Sequence, residues 1–480
     1  MNSFTLQPNF INDISQINSP SSNENSNINI LSTQSLDKLE QPTPISIPQE
    51  LQNQIKLFFT SSNNLSISNE YLNNFLTMNN YDLIEHILFN SNDPHQKFFA
   101  AESLIYLYTH YPLVINYSTA NDLYKNLLTL IYENADNLIK KTKYVFNTLI
   151  KLLCRVIRLF IFLNSQNRNC IYSDILTNIK DDSIYSLIVP FEIFSELIYQ
   201  FQSSESVQFS SYHQFKLYKM ITEFKDTILL PIFEYSISNL VNLFQHQIKT
   251  ENFNEFVLFM NAIIKCTIET LDYEEDLNAK EDNYATYEIK PVYIPNLKRK
   301  TRDKTLNLNF ISLLMQSLFE SYLIVLKSTN DASKAKLCLI LLQKFLVMKT
   351  MYLGEGKLPI LEIYQEGICD ILFSKNGFVN HNHLCKIIYY LKKNYTYFDL
   401  IDRDSFMNYI FAFSTETLDR AQKDPSFYEG LIYLMRFYGY FSHSIDMLPY
   451  SAKESISSYI RGFCLNFINL FNLTEDVFFI

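Results

Sequence analysis

Apolar residues recur along most of this chain at the three- and four-residue spacing of a single helix face. Leu51, Ile55, Phe58 and Phe59 follow that spacing, and Leu83, Ile84, Ile87 and Leu88 repeat it. The same period predicts helices over Phe98 to His110, Asp122 to Glu133, Tyr144 to Leu163, Ile184 to Phe201, Phe224 to Phe244, Phe253 to Leu271, Leu308 to Leu326, Lys334 to Met348 and Leu384 to Lys393. Short polar breaks separate these segments: SNDP at 91–94, NSQNRN at 164–169, KSTND at 327–331 and KDP at 423–425. No run alternates apolar and polar residues between hairpin turns, so the helical period outweighs the strand propensity of the abundant Ile, Tyr and Phe. Breaks every ~15 to 25 residues place two helices in about 40, the unit of HEAT and armadillo arrays and not the shorter tetratricopeptide unit. The pattern therefore predicts an all-α fold, a right-handed superhelical solenoid of about nine to ten HEAT- or armadillo-like helix pairs, each burying its apolar stripe against its neighbours.

Two segments break the pattern. Residues 1–46 hold 8 Asn, 9 Ser and 4 of the 14 prolines without periodicity, too little apolar surface to offset the entropy of ordering, and are expected to form a disordered tail. Residues 272–304 begin acidic, with Asp272, Glu274, Glu275, Asp276, Glu281 and Asp282, and end basic, with Lys298, Arg299, Lys300, Arg302 and Lys304. An insertion of that length in a tight array is usually functional or unstructured, and its acids are a candidate regulatory loop. The expected organisation is thus a tail to 46, a first group of repeats over 47–164, a second over 165–271, the charged insertion, and a third group over 305–480.

Composition narrows the function. With 47% hydrophobic and 19% charged residues over 480 positions, the chain has material for a large core. Only 7 glycines occur, the first being Gly354, so the glycine turns of Rossmann crossovers and phosphate loops are missing from most of it. A net charge of -10 argues against a general nucleic-acid binder and favours partners with basic surfaces. Seven widely spaced cysteines, an odd number, read as reduced core thiols. The most apolar stretch, Leu152 to Leu163, is interrupted by Arg155 and Arg158 and is shorter than the roughly 20 residues a bilayer span needs; no membrane insertion is expected.

Candidate chemistry is sparse. GEGK at 354–357 lacks the spacing of a phosphate loop and runs into Pro359, which reads as an interhelical turn. His381, His383 and Cys385 lie close together, yet a metal site needs three or four convergent ligands and no second cluster completes this one; a helix start with a buried cysteine is expected, with no metal and no cofactor. Paired carboxylates with a positioned histidine and nucleophile elbows are absent, so no catalytic residues are assigned and the chain is read as a non-enzyme. One stretch stands out in an acidic protein: Lys140, Lys141, Lys143, Lys151, Arg155 and Arg158 carry six positive charges with no acid among them. Lys151, Arg155 and Arg158, at i, i+4 and i+7, share one helix face and form either a solvated face or a docking stripe for an acidic partner.

Read in order, several segments resemble the exportin-7-like nuclear transport receptors of the importin-β (karyopherin) superfamily. FFAAESLIYLY at 98–108 is similar to the second helix of the receptors' N-terminal domain, and NTLIKLLCRVIRLF at 147–160 to the long helix of the third repeat. FKDTILLPIFEYSISNL at 224–240, CTIETLDYEED with VYIPNLKRK across 266–300, and LCKIIYYLKKNYTYFDLI at 384–401 follow in the family's order. The resemblance implies that 47–164 are importin-β-like N-terminal repeats and that the chain corresponds to the N-terminal half of such a receptor. It implies binding of the GTP form of the GTPase Ran along the basic stripe, binding of protein cargo and nucleoporins, no direct nucleic acid, and shuttling between nucleus and cytoplasm. The alternative is an α-solenoid protein-interaction scaffold without Ran binding.

Overall fold

A computed structural model describes residues 47–60, 71–72, 74–180, 183–202, 220, 223–245, 253–272, 308–329, 331–347, 357–374, 376–394, 404–442 and 450–471. The tail 1–46, nearly all of the charged insertion, and Gly354 to Gly356 of the GEGK turn lie outside them. Among the described residues the chain is all helical, with seventeen α-helices and no strand. They divide into two compact units, 1–163 with 173–190, and 164–172 with 191–480.

The first unit contains α1 (Gln49–Thr60), α2 (Tyr81–Asn90), α3 (Pro94–His110), α4 (Tyr117–Glu133), α5 (Ala135–Lys141) and α6 (Lys143–Leu163). Local chemistry sets their starts. Asp93 caps α3 by accepting from the His95 amide at 2.9 Å, with Pro94 at the first helical position where its missing N–H costs nothing. Asn116 caps α4 by accepting from the Thr119 amide at 2.8 Å. Packing centres on α6, against which α3, α4 and α5 all lie. Every residue from Leu152 to Phe162 is buried, Arg155 and Arg158 included. Buried tyrosines satisfy their hydroxyls within the unit: Tyr81 and Tyr108 share a hydrogen bond of 3.2 Å, and Tyr132 donates to the Ile175 carbonyl at 2.7 Å.

In α7 (Arg168–Thr177) and α8 (Ile184–Gln202) the division between the units falls within the helix. The second unit continues through α9 (Leu230–Gln245), α10 (Phe253–Leu271), α11 (Leu308–Thr329), α12 (Ala332–Val347), α13 (Lys357–Phe373), α14 (His381–Asn394), α15 (Asp404–Ala421), α16 (Tyr428–Ser442) and α17 (Tyr450–Phe471). Its packing is ordered. The odd helices α9, α11, α13, α15 and α17 each pack on the next in that row, and the even helices α10, α12, α14 and α16 do likewise. Between the rows, α9 packs on α10, α11 on α12, and α15 on α16, so contacts join elements near in sequence. Gly367 on α13 lets the Phe319 ring of α11 lie against the helix backbone where any Cβ would collide with it.

Two described helical stretches, Ile184–Gln202 and Thr227–Phe244, are long and apolar enough to cross a membrane by length and composition. Both are mostly buried inside the protein, the ordinary condition of a core helix. All seven cysteines are thiols, four of them buried: Cys154, Cys266, Cys338 and Cys385.

Candidate functional site

The basic stretch does not form one stripe. Thr142, with φ -134° and ψ 51°, ends α5 and separates Lys140 and Lys141 from α6, so the six bases lie on two helices. Lys140 sits 4.2 Å over the Tyr185 ring and 3.8 Å from Asp136, already engaged within its own unit. Lys141, Lys143 and Lys151 are exposed. Arg155 and Arg158 are not: only 7% and 8% of their surface meets solvent. Their shared face with Lys151 is real as helical geometry, but that face turns into the unit after the first half of α6, where flanking Leu152, Leu153, Val156 and Leu159 are buried. Of the six bases, Lys140, Lys141, Lys143 and Lys151 lie on the surface, while Arg155 and Arg158 lie inside the unit.

The second unit assembles a different polar feature. Half-buried ion pairs join α8 to α10, the end of α10 to α12, and α14 to α16. Glu192 on α8 accepts from Lys265 on α10 at 3.0 Å, Asp272 just past α10 pairs with Lys344 on α12, and Lys386 on α14 pairs with Glu429 on α16 at 2.6 Å. Burial alone would lower the Lys265 pKa, but Glu192, with Glu269 and Glu196 nearby, holds the ammonium charged and leaves it raised. Burial raises Glu269 despite the opposing pull of Lys265. These groups line a charged ladder across α8, α10 and α12, and Asp272 is the one acid of the candidate regulatory loop that the described residues place. Glu274, Glu275, Asp276, Glu281 and Asp282 lie outside them.

The histidine and cysteine cluster is a packing junction. His381 and His383 occupy the first turn of α14; the His381 ring stacks on Phe427 with centroids 4.1 Å apart. Asn380 precedes it at φ 57°, a left-handed conformation that Asn tolerates better than most side chains, and donates to the Ala332 carbonyl at 2.8 Å. Asn382 accepts from the Gly430 amide at 2.8 Å, and a Cβ on Gly430 would lie 2.8 Å from the His381 ring and 3.1 Å from the Cys385 sulfur. Burial, then the charges of Lys336 and Lys386, depress His383 to about 4, and burial also lowers His381. Burial pushes the Cys385 thiol up, the opposite of what a metal ligand or nucleophile requires. Among the described residues no group of three or more His, Cys, Asp and Glu side chains is arranged to hold a metal ion.

The ion-pair ladder was not legible in the sequence, because its partners stand 72 and 73 positions apart in the α8, α10 and α12 pairs, far outside helical spacing. The one available signal was a recurring charge on otherwise apolar helices. No protein-family model and no curated protein matches the chain.

Proposed function

We propose that this protein is a protein-binding helical array of the α-solenoid kind, and that its task is that of an exportin-like nuclear transport receptor taking Ran-GTP and protein cargo. The observation that carries the first part is the packing of the second unit: two rows of helices, each touching its nearest row neighbours, with pairs across the rows at α9–α10, α11–α12 and α15–α16. Such arrays present long rows of surface helices, which suit recognition of extended protein surfaces. The finer reading rests on the order of the segments that resemble the importin-β superfamily, together with the exposed Lys141, Lys143 and Lys151. Three solvated charges steer an acidic partner and speed association more than they tighten a complex.

The second reading, a scaffold without Ran binding, is favoured by the burial of Arg155 and Arg158, which removes two charges from the docking strip. Measuring binding of the full chain to Ran loaded with GTP or with GDP separates the two. A receptor prefers the GTP form by roughly a hundredfold or more, about 2.7 kcal/mol; equal or absent binding of both forms leaves the scaffold.

A further inference from the structure

We infer that the turn joining α3 to α4, with the acids at the same end of the unit, is a docking site for a partner protein's segment that combines apolar side chains with lysine or arginine. Five of the thirteen exposed large apolar residues among those described fall between 106 and 117: Tyr106, Tyr111, Leu113, Val114 and Tyr117. Singly scattered apolar residues are ordinary on a surface, whereas a cluster marks an interaction site. Leu113 and Val114 are 59% and 65% exposed, the most open of this group.

The turn is held firmly. Ile115 and Pro112 are buried on either side of the exposed pair, the Val114 amide donates to the Tyr111 carbonyl at 3.1 Å, and the Tyr111 amide donates to the Leu107 carbonyl at 2.9 Å. Tyr106 stacks on His110 with centroids 4.0 Å apart, and Tyr117 on Phe160 at 5.1 Å. A fixed apolar knuckle loses little conformational entropy on binding, so more of its burial is realised as affinity.

Charge specifies the occupant. Tyr108, three residues before the turn, meets Tyr81 at the start of α2, which brings Asp82 and Glu85 of α2 to the same end of the unit as Asp122, in the second turn of α4. Burial, then Asp82 and Asp122, raise Glu85 above its ordinary value, so its carboxyl stands in the field of both aspartates. α2 carries no Lys or Arg, and α4 carries only Lys125. An arriving ammonium or guanidinium offsets that negative field while apolar neighbours cover Leu113 and Val114. The inference needs no GTPase, and failure of Ran to bind leaves it standing.

The test uses the full chain and a labelled amphipathic peptide of leucine and lysine, read by fluorescence anisotropy, beside peptides with glutamate for lysine and serine for leucine. The chain should bind the leucine–lysine peptide and neither control. Leu113→Ser with Val114→Ser should weaken it roughly tenfold, with circular dichroism unchanged. Asp82→Asn, Glu85→Gln and Asp122→Asn together should weaken it at low salt and much less at high salt. Changing the same three acids to Lys should shift preference to the glutamate peptide. Unaltered binding by the Leu113 and Val114 variant, equal binding of the glutamate peptide, or self-association abolished by that variant, which would make a second copy the occupant, overturns the proposal.

Discussion

The two units bury charge in different ways. In the first, α6 lies under α3, α4 and α5, so a basic residue on its second half has no open side, and Arg155 and Arg158 go inside with the leucines. In the second, charges on neighbouring helices meet a charge of opposite sign, Glu192 with Lys265 and Lys386 with Glu429. On α6 the buried charge lies among apolar neighbours, whereas in the second unit the neighbouring helix supplies its counter-charge. An amphipathic pattern alone does not say which of the two applies.

The sharpest way to break this comparison is to remove the centre of the first unit. Leu153→Ala on α6 should cost about 2 to 5 kcal/mol, the range for a fully buried leucine, measured by denaturant unfolding. Arg155→Ala should follow, at more than about 1 kcal/mol, while Lys151→Ala, four residues earlier on the same face, stays within about 0.5 kcal/mol. Equal effects of the two basic substitutions would show that burial does not separate them. A triple change of Lys141, Lys143 and Lys151 to Gln is the variant that alters charge without disturbing that core.

At the junction of α14 and α16, both His381 and His383 have depressed pKa values, His383 about 4. The folded state therefore binds fewer protons than the unfolded chain. Their stabilising contribution is complete above the unfolded value of about 6.5 and is lost as pH falls toward 4. Allowing for partial exposure, the loss should be on the order of 1 to 2 kcal/mol. His381→Gln with His383→Gln should flatten the thermal midpoint between those pH values; an unchanged slope would place the acid sensitivity elsewhere. The smallest effect belongs to the ladder. A double-mutant cycle on Glu192→Gln and Lys265→Gln should give a coupling of about 0.2 to 1 kcal/mol, shrinking with salt. A coupling near zero would reduce the ladder to coincident surface charges.

Helix content and most helix ends were legible in the sequence because period 3.6 is strong in this composition; Phe253 to Leu271 agrees at both ends. Starts were read late where the first turn is polar. α4 begins at Tyr117 and not Asp122, and α14 at His381 and not Leu384, because their first turns carry polar and capping side chains that the apolar count ignores. The break at Thr142 carries neither Gly nor Pro, and the apolar spacing, which starts a helix at Tyr144, gave no sign of the short α5 that holds Lys140 and Lys141. The candidate stripe was legible as spacing, and its burial was not, since burial depends on α3 and α4 closing over α6. Long-range pairs such as Asp272 with Lys344 are set by the stacking of the rows.

The central claim is that the second unit is an array whose helices depend on their neighbours and not on a shared centre. Hydrogen exchange on the full chain carrying Phe463→Ala, which empties a buried site on α17 beside Tyr438, tests it directly. Faster exchange in α15, α16 and α17 with α9 and α10 unchanged is the result expected of neighbour-only coupling. Uniform acceleration from α9 to α17 would make the unit a single cooperative globule and contradict the account.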